Sequence, residues 1–146
     1  MAAPNNPFAN INNDALKRYY AYGIRNSFGI AFDPVTGNLW NTENGLEAYD
    51  EKAYDEINLV KPGFNSGWTL IMSPISRGSI SQDQLINFPG SSYHDPILSW
   101  QNPVAITAIE FFKSAELGEK YKNNIFVGDY NNGNYISLNL TMIGQA

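Results

Sequence analysis

Short strand-forming runs separated by tight turns constrain the fold of this chain more than any other feature of its sequence. The clearest pair is Phe28 to Phe32 and Leu39 to Thr42, joined by Asp33-Pro34-Val35-Thr36-Gly37-Asn38. Asp, Pro, Gly and Asn at such a junction favour a hairpin turn. Similar runs recur toward the end of the chain, whereas the apolar spacing of an amphipathic helix is sustained nowhere. The sequence therefore predicts an all-β fold.

The strand-forming runs fall into two groups. The chain divides into an extended arm rich in Asn and Pro over 1–17, a first group over 18–72, a long polar loop over 73–95 and a second group over 96–146. We assign Trp68 to Met72 to the first group and Ile97 to Trp100 to the second. About four short strands in roughly 45 to 50 residues make one β-propeller blade, but an eight-stranded sandwich fits the same spacing. Spacing alone leaves both architectures open.

Charge and composition exclude several classes of function. Nine basic and fourteen acidic residues give a net charge of −5, so the chain lacks the basic stripe of a nucleic-acid binder. No run approaches the roughly 18 apolar residues of a membrane span, and we expect no signal peptide at this N-terminus. The sequence has no cysteine, which excludes thiolate chemistry. A single histidine, His94, excludes a multi-histidine zinc site within one chain, and its loop position predicts a surface residue.

Residues 20–34 read Tyr-Ala-Tyr-Gly-Ile-Arg-Asn-Ser-Phe-Gly-Ile-Ala-Phe-Asp-Pro and resemble the G-x-R-N-x-x-G-x-x-F-D-P signature of soluble quinoprotein sugar dehydrogenases. Similar motifs follow in the family's order, namely Thr42-Glu43-Asn44-Gly45, Asp55-Glu56-Ile57-Asn58-Leu59, Gly63-Phe64-Asn65-Ser66-Gly67-Trp68 and Phe126-Val127-Gly128-Asp129. The chain thus resembles the aldose, glucose and sorbosone dehydrogenases that depend on pyrroloquinoline quinone (PQQ). The resemblance implies a six-bladed β-propeller, of which this chain would form two four-stranded blades.

Two blades without neighbours would leave apolar faces and strand edges exposed. Three copies around a threefold axis would supply six blades and close the ring, so we expect a homotrimer, with a fragment of a longer propeller as the alternative. The resemblance implies oxidation of an aldose at its C1 hydroxyl, with hydride transfer to PQQ, in the periplasm or outside the cell. The family's general-base His lies in a blade that this chain does not contain, so we expect a single chain to be inactive. The alternative function is a non-catalytic trimeric scaffold that binds calcium or a small ligand such as a sugar.

The resemblance also implies a set of cofactor-binding residues. These are Arg25, Asn26, Asn44, Asp55 and Trp100. The guanidinium of Arg25 can grip a carboxylate or quinone oxygen of PQQ in bidentate fashion, or it can pair with Glu43 or Asp55 and tie strands together. Trp100 would flank the cofactor, although tryptophan also serves core packing.

Two calcium sites are implied in the same way. The ligands would be the backbone carbonyls of Gly45 and Leu46 at the first site, and Glu56 with the carbonyl of Ser66 at a second, structural site. Oxygen donors of this kind suit a hard cation. Leu46 replaces the family's usual Pro, and the loop after it contains Ala-Tyr-Asp-Glu twice, so either Asp50 or Asp55 can take the family position. A solvated acidic loop is the alternative at both sites.

Overall fold

The computed structural model describes residues 5–46 and 54–140, which contain ten β-strands and four short 3₁₀ helices. The strands are β1 (Ala21–Tyr22), β2 (Ser27–Phe32), β3 (Leu39–Glu43), β4 (Asp55–Val60), β5 (Phe64–Asn65), β6 (Ser92–Tyr93), β7 (Leu98–Trp100), β8 (Ile106–Phe111), β9 (Ile125–Asp129) and β10 (Asn134–Leu138). The helices are Leu16–Arg18, Ile75–Arg77, Gln82–Gln84 and Glu119–Tyr121. The predicted all-β class is confirmed. Among these residues, no helix is long and apolar enough to cross a membrane.

Two antiparallel sheets form the body of the fold. The first has the strand order β2-β3-β4-β7 and the second the order β10-β9-β8. The predicted hairpin between β2 and β3 is confirmed, and its turn is held by Asp33, whose Oδ1 accepts from Val35 N at 2.8 Å. Gly37 ends this turn with φ of +73°, a left-handed conformation that glycine adopts without steric cost.

The fourth strand of the first sheet differs from the prediction. We assigned Ile97 to Trp100 to the second group, but β7 pairs antiparallel with β4, with Trp100 opposite Asp55 and Leu98 opposite Ile57. The segment Trp68 to Met72, predicted as an outer strand, contains no strand in the structure. The physical reason lies in packing, because Leu98 and Trp100 cover the apolar core next to Ile57.

The N-terminal segment also packs more closely than an extended arm. Phe8 is fully buried. Its ring packs edge to face against the rings of Tyr22 and Phe88, with ring centres 6.1 and 6.3 Å apart. Tyr22 belongs to a small parallel sheet with the order β1-β5-β6. The residue boundaries of the arm, the loop and the two blades, and the number of blades in a complete assembly, stay predictions.

The core lies between the two antiparallel sheets. It consists of Trp40, Ile57, Ile106, Ile109, Phe111, Ile125 and Val127. Close approach of the sheets depends on Gly29 in β2, where a Cβ would lie 2.8 Å from Ile109 N and from Thr107 O. Thr42 of β3 donates its hydroxyl to the same Thr107 carbonyl at 2.8 Å. This packing fixes the end of β3, where the implied site residues lie.

Candidate functional site

Arg25 lies between β1 and β2 and is held at the end of β3 by three hydrogen bonds. Its backbone N donates to Glu43 Oε1 at 2.6 Å. Its Nη1 donates to the carbonyl oxygens of Asn44 at 3.0 Å and Gly45 at 2.5 Å. The guanidinium carbon is 5.4 Å from the centre of the Trp68 ring, within the range of a cation–π contact. The cation is therefore anchored on two backbone carbonyls and an aromatic ring.

Two buried carboxyl groups lie beside this cation. Glu43 and Glu56 are directly opposite each other on β3 and β4. Glu43 Oε2 accepts from Ser66 Oγ at 2.8 Å and from Asn58 Nδ2 at 3.3 Å. Burial raises the pKa of the Glu43 carboxyl, and the hydrogen bond from Arg25 N opposes that shift. Burial, followed by the charge of Glu43, raises the pKa of Glu56 to about 8, so Glu56 is largely protonated at neutral pH.

Asp55 is the first residue of β4 and links two backbone segments. Its Oδ1 accepts from Gly45 N at 2.9 Å, and its Oδ2 accepts from Ala105 N at 2.7 Å. Asn44 makes a similar link, since its Nδ2 donates to the carbonyl of Ile106 at 2.9 Å. Both side chains thus fasten the end of β3 to the chain entering β8. Asp50, the alternative to Asp55, lies outside the described residues.

A cavity of about 20 Å³ lies among these groups. Its lining residues are Arg25, Glu43, Asn44, Gly45, Leu46, Tyr54, Glu56, Ser66, Trp68, Ile71 and Met72. The structure therefore brings together six of the nine residues named from the resemblance, namely Arg25, Asn44, Gly45, Leu46, Glu56 and Ser66. A cavity of this size has room for one water molecule or one ion.

The remaining three residues do not line this cavity. Asn26 is exposed, and its carbonyl accepts from Asn44 N at 3.0 Å. Asp55 holds the backbone as described above. Trp100 is half-buried in β7 and packs against the apolar core, the packing position that we gave as the alternative to cofactor contact.

His94 is also outside the cavity lining. It is half-buried, stacks on Phe64 with ring centres 6.3 Å apart, and its Nε2 is 3.0 Å from Ser92 Oγ. Burial, followed by the positive charge of Lys61, lowers the pKa of the His94 ring.

Two residues that line this cavity were not named as site residues from the sequence. Trp68 was quoted within a motif but was not named as a site residue, although it is the ring under Arg25. Glu43 was considered only as a structural partner of Arg25, and it lies next to Glu56 in the buried acidic pair. Both residues lie within motifs that resemble those of the family. Their place in these motifs was the sequence feature from which a position at the site could have been predicted.

The donor set suits calcium by its chemistry. The carbonyl oxygens of Asn44 and Gly45 converge on one point, and two carboxyl groups lie nearby. Calcium takes such oxygen ligands. No group of three or more His, Cys, Asp or Glu side chains that could hold a metal occurs among the described residues. A calcium ion here would therefore depend on backbone carbonyls.

The fit to PQQ is limited to charge recognition. Arg25 offers a guanidinium that can pair with a carboxylate, and it is the one basic residue among the described residues that line the cavity. The cavity of about 20 Å³ is too small for a tricyclic quinone. These residues alone can bind the charged edge of such a molecule but cannot enclose it.

Comparison with known proteins gives the family. The Glucose / Sorbosone dehydrogenase family matches residues 1–145. The uncharacterized protein slr1608 of Synechocystis is 32% identical over 126 residues, and the match covers 84% of this chain and 28% of slr1608. The aldose sugar dehydrogenase YliI of Escherichia coli K12 is 27% identical over 123 residues, covering 84% of this chain and 31% of YliI. The chain spans about three-tenths of the length of these relatives.

Solved structures of the same kind share the fold. A glucose dehydrogenase superposes with a TM-score of 0.68 at 24% identity, and the match covers 94% of this chain and 36% of that one. The PQQ-bound aldose sugar dehydrogenase of Streptomyces coelicolor superposes with a TM-score of 0.60 at 23% identity. This match covers 92% of this chain and 30% of the Streptomyces chain. These likenesses show the fold, and the family match over residues 1–145 shows that the chain belongs to the Glucose / Sorbosone dehydrogenase family.

Proposed function

We propose that this chain forms the calcium-binding and PQQ-binding part of an aldose sugar dehydrogenase propeller, and that one copy alone does not oxidise sugar. The observation that carries this proposal is the anchoring of Arg25 on the Asn44 and Gly45 carbonyls, beside the buried pair Glu43 and Glu56. Family membership and the PQQ-bound Streptomyces relative support the choice of cofactor.

Each residue has a defined task in this proposal. The carbonyls of Gly45 and Leu46 bind the first calcium ion, and Glu56 with the Ser66 carbonyl binds the second. Arg25 supplies positive charge to a carboxylate or quinone oxygen of PQQ, and Asn26 lies exposed beside it. PQQ, when bound, supplies the hydride acceptor. Asn44 and Asp55 hold the backbone at Asn44 and Gly45 in place, because their side chains make hydrogen bonds to the Ile106 carbonyl and to Gly45 N.

The size of the cavity supports the inactivity of a single copy. A space of about 20 Å³ cannot enclose a quinone and a sugar, so further blades must supply the rest of the surface and the general base. We expect no reduction of a redox dye by the isolated chain with glucose, calcium and PQQ. Dye reduction at the rate of a complete dehydrogenase would contradict this part of the proposal.

Equilibrium dialysis with PQQ in the presence of calcium tests the binding itself. Arg25→Ala should weaken PQQ binding about tenfold or more, the loss expected for a charge-assisted bidentate contact. Arg77→Ala is the matched control, because Arg77 is exposed on a short 3₁₀ helix and is not among the residues lining this cavity. Equal affinity of both variants, or no binding by the native chain, would contradict the proposal.

A trimeric scaffold without catalysis is the second candidate, and an exposed apolar strand face favours it. Phe28, Ile30 and Phe32 alternate along β2 and each is 66% exposed, a stripe suited to covering by another protein surface. The match covers 36% of the glucose dehydrogenase chain, so three copies of the matched part would cover about the length of one such enzyme.

Light scattering after size exclusion tests this assembly. The scaffold requires a mass of three chains that Ile30→Arg reduces to one, while Thr36→Arg in the exposed turn leaves the mass unchanged. A native monomer would contradict a trimer.

The compartment belongs to the same proposal. The family resemblance supports a periplasmic or extracellular location for the assembled protein. Fractionation of the cells that produce it tests this, and recovery only with cytoplasmic markers would contradict it.

A further inference from the structure

We propose that the Arg25 guanidinium is itself the resident cation of the Asn44–Gly45 carbonyl pair, and that it and a divalent cation exclude each other there. This inference rests on the proposed function, which assigns the Gly45 carbonyl to calcium. A calcium ion would then displace Arg25 and free its guanidinium for an anionic ligand. Arg25 would thus set the order of binding, with the metal before the anion.

The geometry of the carbonyl pair carries the first step. One nitrogen, Nη1, is within 3.0 Å of the Asn44 oxygen and 2.5 Å of the Gly45 oxygen. Calcium binds oxygen at about 2.3 to 2.6 Å, so an ion on the Gly45 carbonyl needs nearly the volume that Nη1 fills. Two cations at this separation repel each other strongly, and an ion in the cavity of about 20 Å³ would lie directly against the Arg25 side chain that lines it.

The charges around the cavity carry the second step. Glu43 and Glu56 are both buried, and Arg25 is the one basic residue among the described residues lining the same space. A buried carboxylate needs a nearby positive charge or hydrogen bonds. When Arg25 leaves, a divalent cation restores positive charge beside the buried Glu43 side chain. The site is therefore built to hold one cation at a time.

Trp68 provides the third step. The guanidinium already lies 5.4 Å from the Trp68 ring centre, and Trp68 is half-buried. Arg25 can keep this cation–π contact while Nη1 leaves the carbonyls. The released guanidinium would then be held near the site with its hydrogen-bond donors free. Binding of the metal and the anion would be coupled, and the coupling would be reciprocal.

Calcium titration of the chelator-treated chain tests the exclusion. Isothermal calorimetry with calcium chloride should show about tenfold tighter binding in Arg25→Ala than in the native chain, a fold-change within the usual range for coupled sites. Arg25→Gln, which keeps much of the side chain without its charge, should tighten binding as well and guards against loss of folding in the alanine variant. Arg77→Ala should match the native chain.

Trp68 fluorescence gives a second readout. Calcium should change the emission of the native chain as the guanidinium moves, and the change should disappear in Arg25→Gln and in Trp68→Phe. Equal or weaker calcium binding in both Arg25 variants, equal tightening in Arg77→Ala, or no calcium binding by any of them would each overturn the inference. Failure of PQQ to bind calcium-loaded chain would instead overturn the proposed function and leave the calcium titration to decide this inference.

Discussion

The two faces of strands β3 and β4 differ sharply, although they belong to the same sheet. Residues that alternate along the strands point to opposite faces. Trp40 and Ile57 point to the second sheet and belong to the apolar core. Glu43, Glu56 and Asn58 occupy the alternate positions, and they are buried as well. One face is thus packed like an ordinary protein interior, while the other buries carboxyl and amide groups.

This difference indicates which face stabilises the fold. Burying polar groups lowers stability unless hydrogen bonds compensate, and the polar face is incompletely compensated. The buried Oδ1 atoms of Asn41 and Asn58 have no hydrogen-bond partner in the structure. The apolar face therefore supplies the free energy of folding, and burial of the polar face opposes it.

The largest expected effect concerns the apolar face. Phe111 is buried in the core and contacts Trp40 edge to face, with ring centres 6.5 Å apart. Phe111→Ala should lower the free energy of unfolding by about 3 to 5 kcal/mol. Phe28→Ala is the control, because Phe28 is 66% exposed. Urea unfolding measures both variants, and a similar loss in each would show that the two positions are equally buried in solution.

Asp55 tests whether the face that carries the apolar core also contains a polar structural tie, since it lies on the same side of β4 as Ile57. Asp55→Ala leaves the N–H groups of Gly45 and Ala105 without their acceptors. Unpaired donors of this kind should lower the free energy of unfolding by about 2 to 3 kcal/mol. Asp14→Ala removes a carboxylate that is 93% exposed and should change urea unfolding little. If Asp55→Ala lowers the free energy of unfolding no more than Asp14→Ala does, the Asp55 side chain does not hold the backbone.

Gly29 probes the contact between the two sheets. Gly29→Ala places a methyl group 2.8 Å from the backbone of β8, so the sheets must separate. Overpacking of this kind should lower the free energy of unfolding by about 1 to 3 kcal/mol. Gly78→Ala is matched, since its Cβ would meet nothing closer than 3.6 Å and its φ is −97°. Thermal unfolding that falls equally in both variants would contradict the close sheet packing.

Local chemistry allowed part of this structure to be predicted from the sequence. The turn from Asp33 to Gly37 predicted the β2–β3 hairpin, and the motif residues Arg25 and Gly45 meet because they lie at adjacent ends of that hairpin. The partner of β7 could not be predicted. A long loop separates Trp100 from Asp55 in the chain, and periodicity shows which side of a strand is apolar but not which sheet edge it joins.

The same limit explains the missed contacts in the site. Phe8 and Trp68 contact residues from distant parts of the chain, Phe88 and Arg25 respectively. Neither contact leaves a local signal in sequence spacing. The buried state of Glu43 and Glu56 was also hidden, because alternation along β3 and β4 predicts a polar face that is exposed to solvent.

The smallest effect is a pH dependence that separates the two faces. The pKa of Glu56 is raised from 4.5 to about 8 in the folded chain, mainly by burial. The negative charges of Glu43, Asp95 and Asp55 also raise this pKa, whereas a hydrogen bond with the Asn58 side chain lowers it. Between these two values the folded state binds a proton that the unfolded state has lost, so stability falls as pH rises through this window. From pH 6 to 7 the calcium-free chain should lose about 1 kcal/mol through Glu56.

Glu56→Gln removes this titration while keeping a side chain of similar size. Its free energy of unfolding should fall less between pH 6 and 7 than that of the native chain, and the two proteins should be most alike near pH 5, where Glu56 is protonated. Urea unfolding across this range in the presence of chelator measures the difference. If the free energy of unfolding falls equally with pH in both proteins, the Glu56 carboxyl is in contact with solvent. The two faces of β3 and β4 would then differ less than the burial of Glu56 in the structure implies.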